Sequence, residues 1–343
     1  MAELGYIHLS DGHIFSGNLL NWNNHFVTGE VVFNTSMAGY VESLTDPSYS
    51  NQILVFTYPL IGNYGVQIKD FESSKIQVKG VILSQISLHP SHEDSTVNLR
   101  QWLKSQNIPI LYNIDTRALT LHLRSKGVMA GLITNSLNKP TVSQPSHKFI
   151  SAQKPKIYNP KSKKKIILVD CGVKENIIKS IIKYDAQVIQ VPHDYDYTNQ
   201  PYDGVLLSNG PGDPTSYQAT IEITKKALKN NKPIFGICLG SQIMGLSSGA
   251  KTYKLRFGHR GQNQPCKVEN SDRCYVTSQN HGYALDEKTL PKGWRVLFRN
   301  LNDNSIEGIE HQTKPFFSVQ FHPEAKPGPT DTAWLFERFV KSL

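Results

Sequence analysis

The sequence predicts an α/β fold: a β-rich N-terminal domain followed by a doubly wound, mostly parallel-sheet domain with a cysteine elbow. Three observations predict it. A length of 343 residues suits two domains. Residues 1–146 are rich in strand-like runs, and from residue 165 buried-type strands alternate with helices. A basic stretch separates the two patterns, so we predict domains at 1–146 and 165–343 joined by a linker at 147–164.

Strands and turns dominate the first domain. Asp11–Gly12 predicts a hairpin turn within "YIHLSDGHIFSGNLL", because this dipeptide is strongly favoured in two-residue turns. Further strands are predicted in "GEVVFNTS", "NQILVFTYP" and "IQVKGVILSQ". Helical spacing appears in "TVNLRQWLKSQ" and in "DTRALTLHLRSKG", which begins at an Asp cap and ends before Gly127.

Strand–helix alternation begins at "KIILVD", residues 165–170. The following segment has an isoleucine stripe at residues 177, 178, 181 and 182, which predicts a helix. The alternation continues through strands in "AQVIQVP", "DGVLLSNGPGDP" and "PIFGI" and helices in "TSYQATIEITKKALKNN" and "SQIMGLSSG". The last ninety residues predict short strands and turns, closing with a helix around "TAWLFERFVKSL".

Composition excludes several function classes. The net charge of +9 is concentrated in the 147–165 stretch, and no aromatic-and-basic stripe accompanies it, so we predict a solvated linker and no nucleic-acid partner. No apolar run could span a bilayer and no signal peptide is visible, so we predict no membrane association. The four cysteines form no C-x-x-C pair, so we predict neither a disulfide framework nor a metal site.

Cys238 lies in "GICLG", where a strand meets a helix. This G-x-C-x-G pattern is the cysteine counterpart of the G-x-S-x-G nucleophile elbow, a sharp turn that exposes a side chain above the sheet. A helix N-terminus favours an anion, so we expect the thiolate to be favoured there. The N–H of Leu239 is placed to bind an oxyanion. A buried core cysteine is the alternative, but core cysteines rarely lie between two glycines.

A nucleophilic cysteine needs a base, and the base needs an orienting group. His322 and Glu324 follow the predicted strand "PFFSVQF", with a proline between them. On an extended segment residues two apart point the same way, so imidazole and carboxylate are expected to pair. Together with Cys238 they predict a Cys–His–Glu triad. The chain has twelve histidines, so a single one taken alone is weak evidence.

These residues resemble a known family. "GICLGSQ", "LSNGPGDP" and "VQFHPEA" are similar to the three landmarks of class I glutamine amidotransferases. The stretch "GEVVFNTSMAGYVESLTDPSYSNQILVFTYPLIGNYG" resembles the small, glutamine-hydrolysing subunits of carbamoyl phosphate synthetases, and "SQNHGYAL" fits them too. The resemblance covers the chain except the linker, and it implies that residues 165–343 are the amidotransferase domain.

The resemblance implies roles for individual residues. Cys238 is the expected nucleophile, His322 the general acid and base, and Glu324 its orienting carboxylate. The expected contacts to L-glutamine are Ser48, Gly210, Gly212, Leu239, Gln242, Asn280, Gly282 and Tyr283. The family often has Phe at the position of Tyr283, and "GHRGQNQP" departs from the family pattern, so His259 and Arg260 receive no role.

The resemblance also implies partners. The expected partner is a carbamoyl phosphate synthetase large subunit, in a heterodimer or a higher assembly of heterodimers, which receives ammonia for pyrimidine and arginine synthesis. The chain has no G-x-x-x-x-G-K-[ST] loop, so ATP and Mg are expected on the large subunit and no cofactor on this chain. The expected compartment is a plastid stroma, with an organelle-encoded chain, or a bacterial cytoplasm.

Two rival hypotheses remain. An amidotransferase serving guanylate or anthranilate synthesis would not need the first domain. A regulatory subunit without activity would be marked by loss of Cys238, His322 or Glu324, and all three are present.

Overall fold

The computed structural model describes residues 3–21, 26–138, 142 and 149–343. The chain divides into two compact units, Met1–Lys148 (unit 1) and Phe149–Leu343 (unit 2). In the described part, no helix has both the length and the apolar character needed to cross a bilayer. The α/β fold class, with a β-rich first unit, is confirmed.

Unit 1 is built mainly of strands. Its strands and α-helices are β1 (Glu3–Leu9), β2 (Ile14–Leu20), β3 (Val27–Asn34), α1 (Tyr40–Thr45), β4 (Gln52–Phe56), β5 (Leu60–Ile61), β6 (Gly80–Ile82), β7 (Gln85–Ile86), α2 (Leu99–Ser105), β8 (Ile110–Tyr112), α3 (Thr116–Lys126) and β9 (Met129–Thr134). Seven of them form one sheet that closes on itself in the order β1-β2-β8-β6-β4-β3-β9.

The elements predicted in unit 1 are confirmed. β1 and β2 pair in an antiparallel hairpin, and Gly12 in its turn has a φ of 96°, which a side chain would disfavour. The side chain of Asp115 accepts a hydrogen bond from the Ala118 N–H at the start of α3, and Gly127 ends that helix. One hydrophobic core packs a face of the sheet against α1 and α2 through Leu44, Leu99 and Leu103.

Unit 2 contains the alternating pattern and an antiparallel extension. Its strands and α-helices are β10 (Lys156–Tyr158), β11 (Lys165–Asp170), α4 (Glu175–Ile181), β12 (Gln187–Pro192), β13 (Gly204–Leu207), α5 (Gln218–Ala227), β14 (Ile234–Ile237), α6 (Leu239–Ser248), β15 (Thr252–Val268), β16 (Cys274–Leu285), β17 (Trp294–Asn300), β18 (Ile306–His311), β19 (Phe316–Val319) and α7 (Trp334–Lys341).

One sheet of unit 2 holds its ten described strands in the order β10-β12-β11-β13-β14-β19-β18-β17-β15-β16. The stretch from β12 to β19 is parallel. Helices cover both of its faces: α4 and α7 pack on one core and α5 and α6 on the other. This is the predicted doubly wound arrangement, and it brings the carboxyl ends of β11, β13, β14 and β19 to one edge.

Two expectations need correction. The last ninety residues do not contain only short strands, because β15 and β16 are 17 and 12 residues long and pair as an irregular antiparallel hairpin. The predicted linker 147–164 is partly folded: β10 within it pairs antiparallel with β12 and continues the sheet of unit 2. The lysine-rich composition of this segment led to the linker prediction. The segment nevertheless contains a short edge strand, in which Lys156 and Ile157 are exposed. Residues 147 and 148 lie outside the described residues.

The cap of α3 predicts a measurable stability effect. Asp115→Ala removes the acceptor for the Ala118 N–H, which lies 2.8 Å from the Asp115 carboxylate oxygen. We expect the free energy of unfolding of unit 1 to fall by about 1 kcal/mol, measured by urea-induced unfolding. The control is Arg117→Ala at an exposed position of the same helix, which should change it by less than about 0.5 kcal/mol. Equal effects of the two variants would contradict the capping role.

Candidate active site

The corner at Cys238 is sterically demanding. Cys238 joins β14 to α6 with φ 54° and ψ −106°, a backbone conformation that non-glycine residues rarely adopt. Its N–H donates to the carbonyl of Val319 on the neighbouring strand at 2.8 Å. A Cβ at Gly240 would lie 2.2 Å from the Leu207 carbonyl oxygen, and one at Gly236 would lie 2.6 Å from the Gly240 carbonyl oxygen. The predicted strand–turn–helix corner is therefore confirmed, and both glycines are needed for close backbone approach.

The Cys238 side chain lies at the start of α6. The residue is 2% exposed, and its thiol donates to the Asn280 carbonyl, with Sγ and oxygen 3.6 Å apart. Leu239 is the first residue of the helix, so its N–H has no partner within that helix. The structure thus places a thiol beside a backbone donor at the carboxyl edge of the parallel sheet.

His322 and Glu324 form the predicted pair. Their Nδ1 and Oε1 atoms are 2.6 Å apart, and both side chains are buried. The segment is a turn rather than the extended strand that the sequence suggested: the Ala325 N–H donates to the His322 carbonyl, and the His322 N–H donates to Ser278. Because the carboxylate only accepts, Nδ1 carries the proton of this bond and the other ring nitrogen, Nε2, points elsewhere.

Charges beside the imidazole control its protonation. Burial lowers the pKa of His322, but the charges of Glu324 and Cys238 raise it more, giving a net rise to about 10. The charge of Cys238 is thus one of the causes that favour the protonated imidazole. The His322 Nε2 atom is buried and has no hydrogen-bond partner among the described residues, so it is available to a reacting group.

Lys174 completes this buried chain of charges, and the sequence interpretation missed it. Its Nζ lies 3.0 Å from Glu324 Oε1 and donates to the carbonyls of Ala325 and Lys326. Burial raises the pKa of Glu324, but Lys174 and His322 lower it more, to about 2. The carboxylate therefore stays ionised. The sequence did carry a signal, because Lys174 lies in the loop four residues after the end of the strand "KIILVD", and such loops lie at the carboxyl edge of a parallel sheet.

Most predicted glutamine contacts gather around Cys238. A Cβ at Gly210 would lie 2.7 Å from the Leu239 side chain, so the two residues are neighbours. Gln242 Nε2 donates to the Tyr283 carbonyl at 2.9 Å. The Tyr283 hydroxyl reaches Asp213, which follows Gly212 in the glycine-rich loop, at 3.3 Å.

Of the remaining predicted glutamine contacts, two lie on β16 and one lies in unit 1. Asn280 contacts the Cys238 thiol through its carbonyl, and Gly282 lies between Asn280 and Tyr283 on β16. Ser48 belongs to unit 1, where it lies in a 3₁₀ turn and its N–H donates to Asp46. The roles of all these residues stay predictions.

Comparison with known proteins identifies two families. The glutamine amidotransferase class-I family matches residues 167–342. The CPSase domain of the carbamoyl-phosphate synthase small chain matches residues 7–133. The two matches together cover most of units 1 and 2.

Individual relatives match over nearly the whole chain. The arginine-specific small chain of carbamoyl phosphate synthase from Neurospora crassa is 42% identical over 359 residues, which covers 98% of this chain and 79% of the relative. That from Candida albicans is 41% identical over 368 residues, covering 98% and 84%. The multifunctional protein CAD of Squalus acanthias is 48% identical over 351 residues, covering 97% of this chain and 16% of that protein.

The chain spans between 16% and 21% of the length of the multifunctional relatives it matches. Among solved structures, a glutamine amidotransferase from Thermotoga maritima is similar with a TM-score of 0.37 and 19% identity, covering 47% of this chain and 76% of the other.

The raised pKa of His322 predicts how stability changes with pH. A group whose pKa is higher in the folded state stabilises it fully below its unfolded pKa, near 6.5, and loses that contribution as the pH rises through about 10. We therefore expect the melting temperature of unit 2, followed by calorimetry, to fall less between pH 6.5 and 10 in His322→Gln than in the unmodified chain. His89→Gln, at an exposed histidine, should follow the unmodified curve. Parallel curves for all three proteins would contradict the assignment.

Proposed function

The chain belongs to the carbamoyl-phosphate synthase small-chain family, with a class-I glutamine amidotransferase domain, and we propose that it hydrolyses L-glutamine to glutamate and ammonia. One observation carries the proposal: Cys238 lies at a strained strand–helix corner, and its N–H bonds to β19, the strand that comes just before His322. The carboxylate of Glu324 orients that imidazole, with Oε1 2.6 Å from Nδ1. This is the arrangement that nucleophilic catalysis by cysteine requires.

The first half-reaction forms a thioester. The raised pKa of His322 favours transfer of the Cys238 proton to Nε2 before attack. The sulfur, now a thiolate, attacks the side-chain amide carbon of glutamine and gives a tetrahedral oxyanion. When this intermediate collapses, the C–N bond breaks and His322 returns the proton to the leaving nitrogen, which departs as ammonia. The upward shift of the His322 pKa supports the second transfer, because the protonated ring is the acid that the leaving group needs.

The second half-reaction releases glutamate. His322 Nε2 takes a proton from water, whose oxygen attacks the thioester carbon. The carbon–sulfur bond then breaks, and the proton returns to sulfur. Glu324 stabilises the imidazolium in both steps and does not itself exchange protons, since Lys174 and His322 hold its pKa low despite burial.

Backbone donors stabilise the oxyanion. The N–H of Leu239 and the N–H groups near Gly210 are the proposed donors, and the close packing of these two residues supports a shared site. One such donor is worth roughly 10²–10³ in kcat. The proposed contacts to the rest of glutamine are Ser48, Gly212, Gln242, Asn280, Gly282 and Tyr283.

Ammonia is the proposed product delivered to a partner. In bulk water ammonia is protonated and loses its nucleophilicity, so delivery through a protein passage to a carbamoyl phosphate synthetase large subunit is required. That subunit would hold ATP and Mg and use bicarbonate, and the glutaminase steps need no cofactor on this chain. We propose a heterodimer, or a higher assembly of heterodimers.

The products would serve arginine and pyrimidine synthesis. Two relatives are named arginine-specific small chains, which supports the first of these pathways. The proposed compartment is a plastid stroma or a bacterial cytoplasm, because the abundance of Lys, Ile and Asn is typical of an AT-rich coding genome.

Loss of the nucleophile should separate the two nitrogen sources. With a co-expressed large subunit, Cys238→Ser should abolish glutamine-dependent carbamoyl phosphate formation and leave ammonia-dependent formation intact, because only the first requires the thiolate. Cys274→Ser, at an exposed cysteine, is the matched control and should retain both activities. Survival of glutamine-dependent activity in Cys238→Ser would overturn the nucleophile assignment, and loss of both activities would show that the cysteine supports the synthetase structurally.

The proposed contact of Ser48 with glutamine is tested by substitution. Ser48→Ala should raise KM for glutamine by about tenfold, the equivalent of one lost hydrogen bond of ~1.4 kcal/mol, and leave ammonia-dependent turnover unchanged. Ser50→Ala, in the same turn, should leave KM within about twofold. An unchanged KM in Ser48→Ala would remove Ser48 from the proposed glutamine contacts.

A further inference from the structure

A second group of ionisable side chains lies buried in the antiparallel part of unit 2. His259 on β15 and His281 on β16 are directly paired across the two strands. Glu307 on β18 reaches between them, and its side chain has no exposed surface. Ligand atoms of the three residues all lie within 4.8 Å of one another. None of the three takes part in the glutaminase steps proposed above.

Hydrogen bonds outside the group set the protonation of each ring. His281 Nδ1 lies 2.9 Å from the Tyr283 carbonyl, so Nδ1 carries the hydrogen and Nε2 presents a lone pair. His259 Nε2 lies 2.9 Å from an Asp303 carboxylate oxygen, so in the neutral ring Nδ1 presents the lone pair. A histidine that donates its second N–H to a carbonyl or carboxylate is the usual arrangement of a metal ligand.

Inside the group most of the atoms that meet are acceptors. The donors are the Asn300 amide nitrogen, 3.3 Å from both His259 Nδ1 and Glu307 Oε1, and the Ser305 hydroxyl, 3.4 Å from Glu307 Oε1. His259 Nδ1 lies 3.2 Å and His281 Nε2 lies 3.7 Å from Glu307 Oε1. Gln279 Oε1 lies 2.9 Å from His259 Nδ1 and 3.1 Å from His281 Nε2, and its amide nitrogen is engaged with Thr277 and Cys266, which holds the oxygen inward. The second carboxylate oxygen of Glu307 is buried without a hydrogen-bond partner among the described residues. The lone pairs of the two rings, the Gln279 oxygen and the Glu307 carboxylate outnumber these donors, so a positive charge at their centre would stabilise the group.

We propose that His259, His281 and Glu307 bind a divalent transition metal of the zinc class, with Gln279 Oε1 or a water as fourth ligand. Ligands about 2.1 Å from a tetrahedral zinc are separated by about 3.4 Å, close to the spacing of the two ring nitrogens from Glu307 Oε1. The donor set of two imidazoles and a carboxylate suits zinc. The site is structural, because it is enclosed and joins β15, β16 and β18. This proposal differs from the sequence-based prediction that the chain has no metal site, because that prediction considered only the spacing of the cysteines.

A proton is the competing occupant. Burial lowers the pKa of His259, but hydrogen bonds to Asp303 and Glu307 raise it more, to about 9, so an imidazolium could supply the charge there. A proton on His259 leaves His281 Nε2 facing the oxygen of Gln279, whereas a metal satisfies both rings. The experiment must therefore distinguish bound metal from bound proton.

The test measures metal on the full-length, tag-free chain. The protein is stripped with a chelator, incubated with Zn²⁺, desalted and assayed by mass spectrometry for zinc per chain, and a parallel sample is titrated with Co²⁺ and followed by visible absorption. We expect about one zinc per chain and the absorption of tetrahedral cobalt. Glu307→Gln and His259→Asn should each weaken metal binding at least tenfold.

The control variant is His13→Asn, in the exposed group formed by Asp11, His13 and His122 of unit 1, which is the other cluster of possible ligands among the described residues. It should keep the metal content and the cobalt spectrum. Metal loss in His13→Asn but not in His259→Asn would overturn the assignment. So would zinc content near zero in the unmodified chain with a native melting transition, a result that needs no variant and would identify the occupant as a proton.

Discussion

The tight corner at Cys238 is the constraint on which the arrangement of the site depends. A non-glycine residue held at such a backbone conformation costs about 1–3 kcal/mol, which the surrounding contacts must offset. Here the hydrogen bond to Val319 and the close approach of Gly240 to Leu207 hold the corner between two neighbouring strands. The same contacts bring β14, β13 and β19 into register, so the loops that follow these strands open at one edge around the thiol.

Beyond the thiol, buried charges extend in a line through His322 and Glu324 to Lys174. Removing an ion from water costs several kcal/mol, and pairing repays this only when hydrogen bonds are also satisfied. Lys174 meets this condition because two backbone carbonyls and a carboxylate surround its ammonium group. The carboxylate thus remains charged in the interior and fixes the tautomer and orientation of the imidazole.

The antiparallel half of the unit 2 sheet also contributes to the site, through backbone carbonyls of β16. β16 carries Asn280, whose carbonyl contacts the thiol, and Tyr283, whose carbonyl accepts from Gln242. The same strand carries His281, whose Nδ1 donates to the Tyr283 carbonyl and whose Nε2 lies in the buried polar group with His259 and Glu307. A bound metal at that group would fix the strand without contacting the reacting atoms.

The sequence by itself determined the order of strands and helices in the parallel part, the corner at Cys238 and the pairing of His322 with Glu324. These features depend on contacts between residues that are close along the chain, and local pattern encodes such contacts. Only the tertiary structure decided that Lys174 reaches Glu324, that β10 extends the sheet, and that His259, His281 and Glu307 meet. Those contacts join distant segments through the order and register of ten strands, and local propensity carries no information about which strands become neighbours.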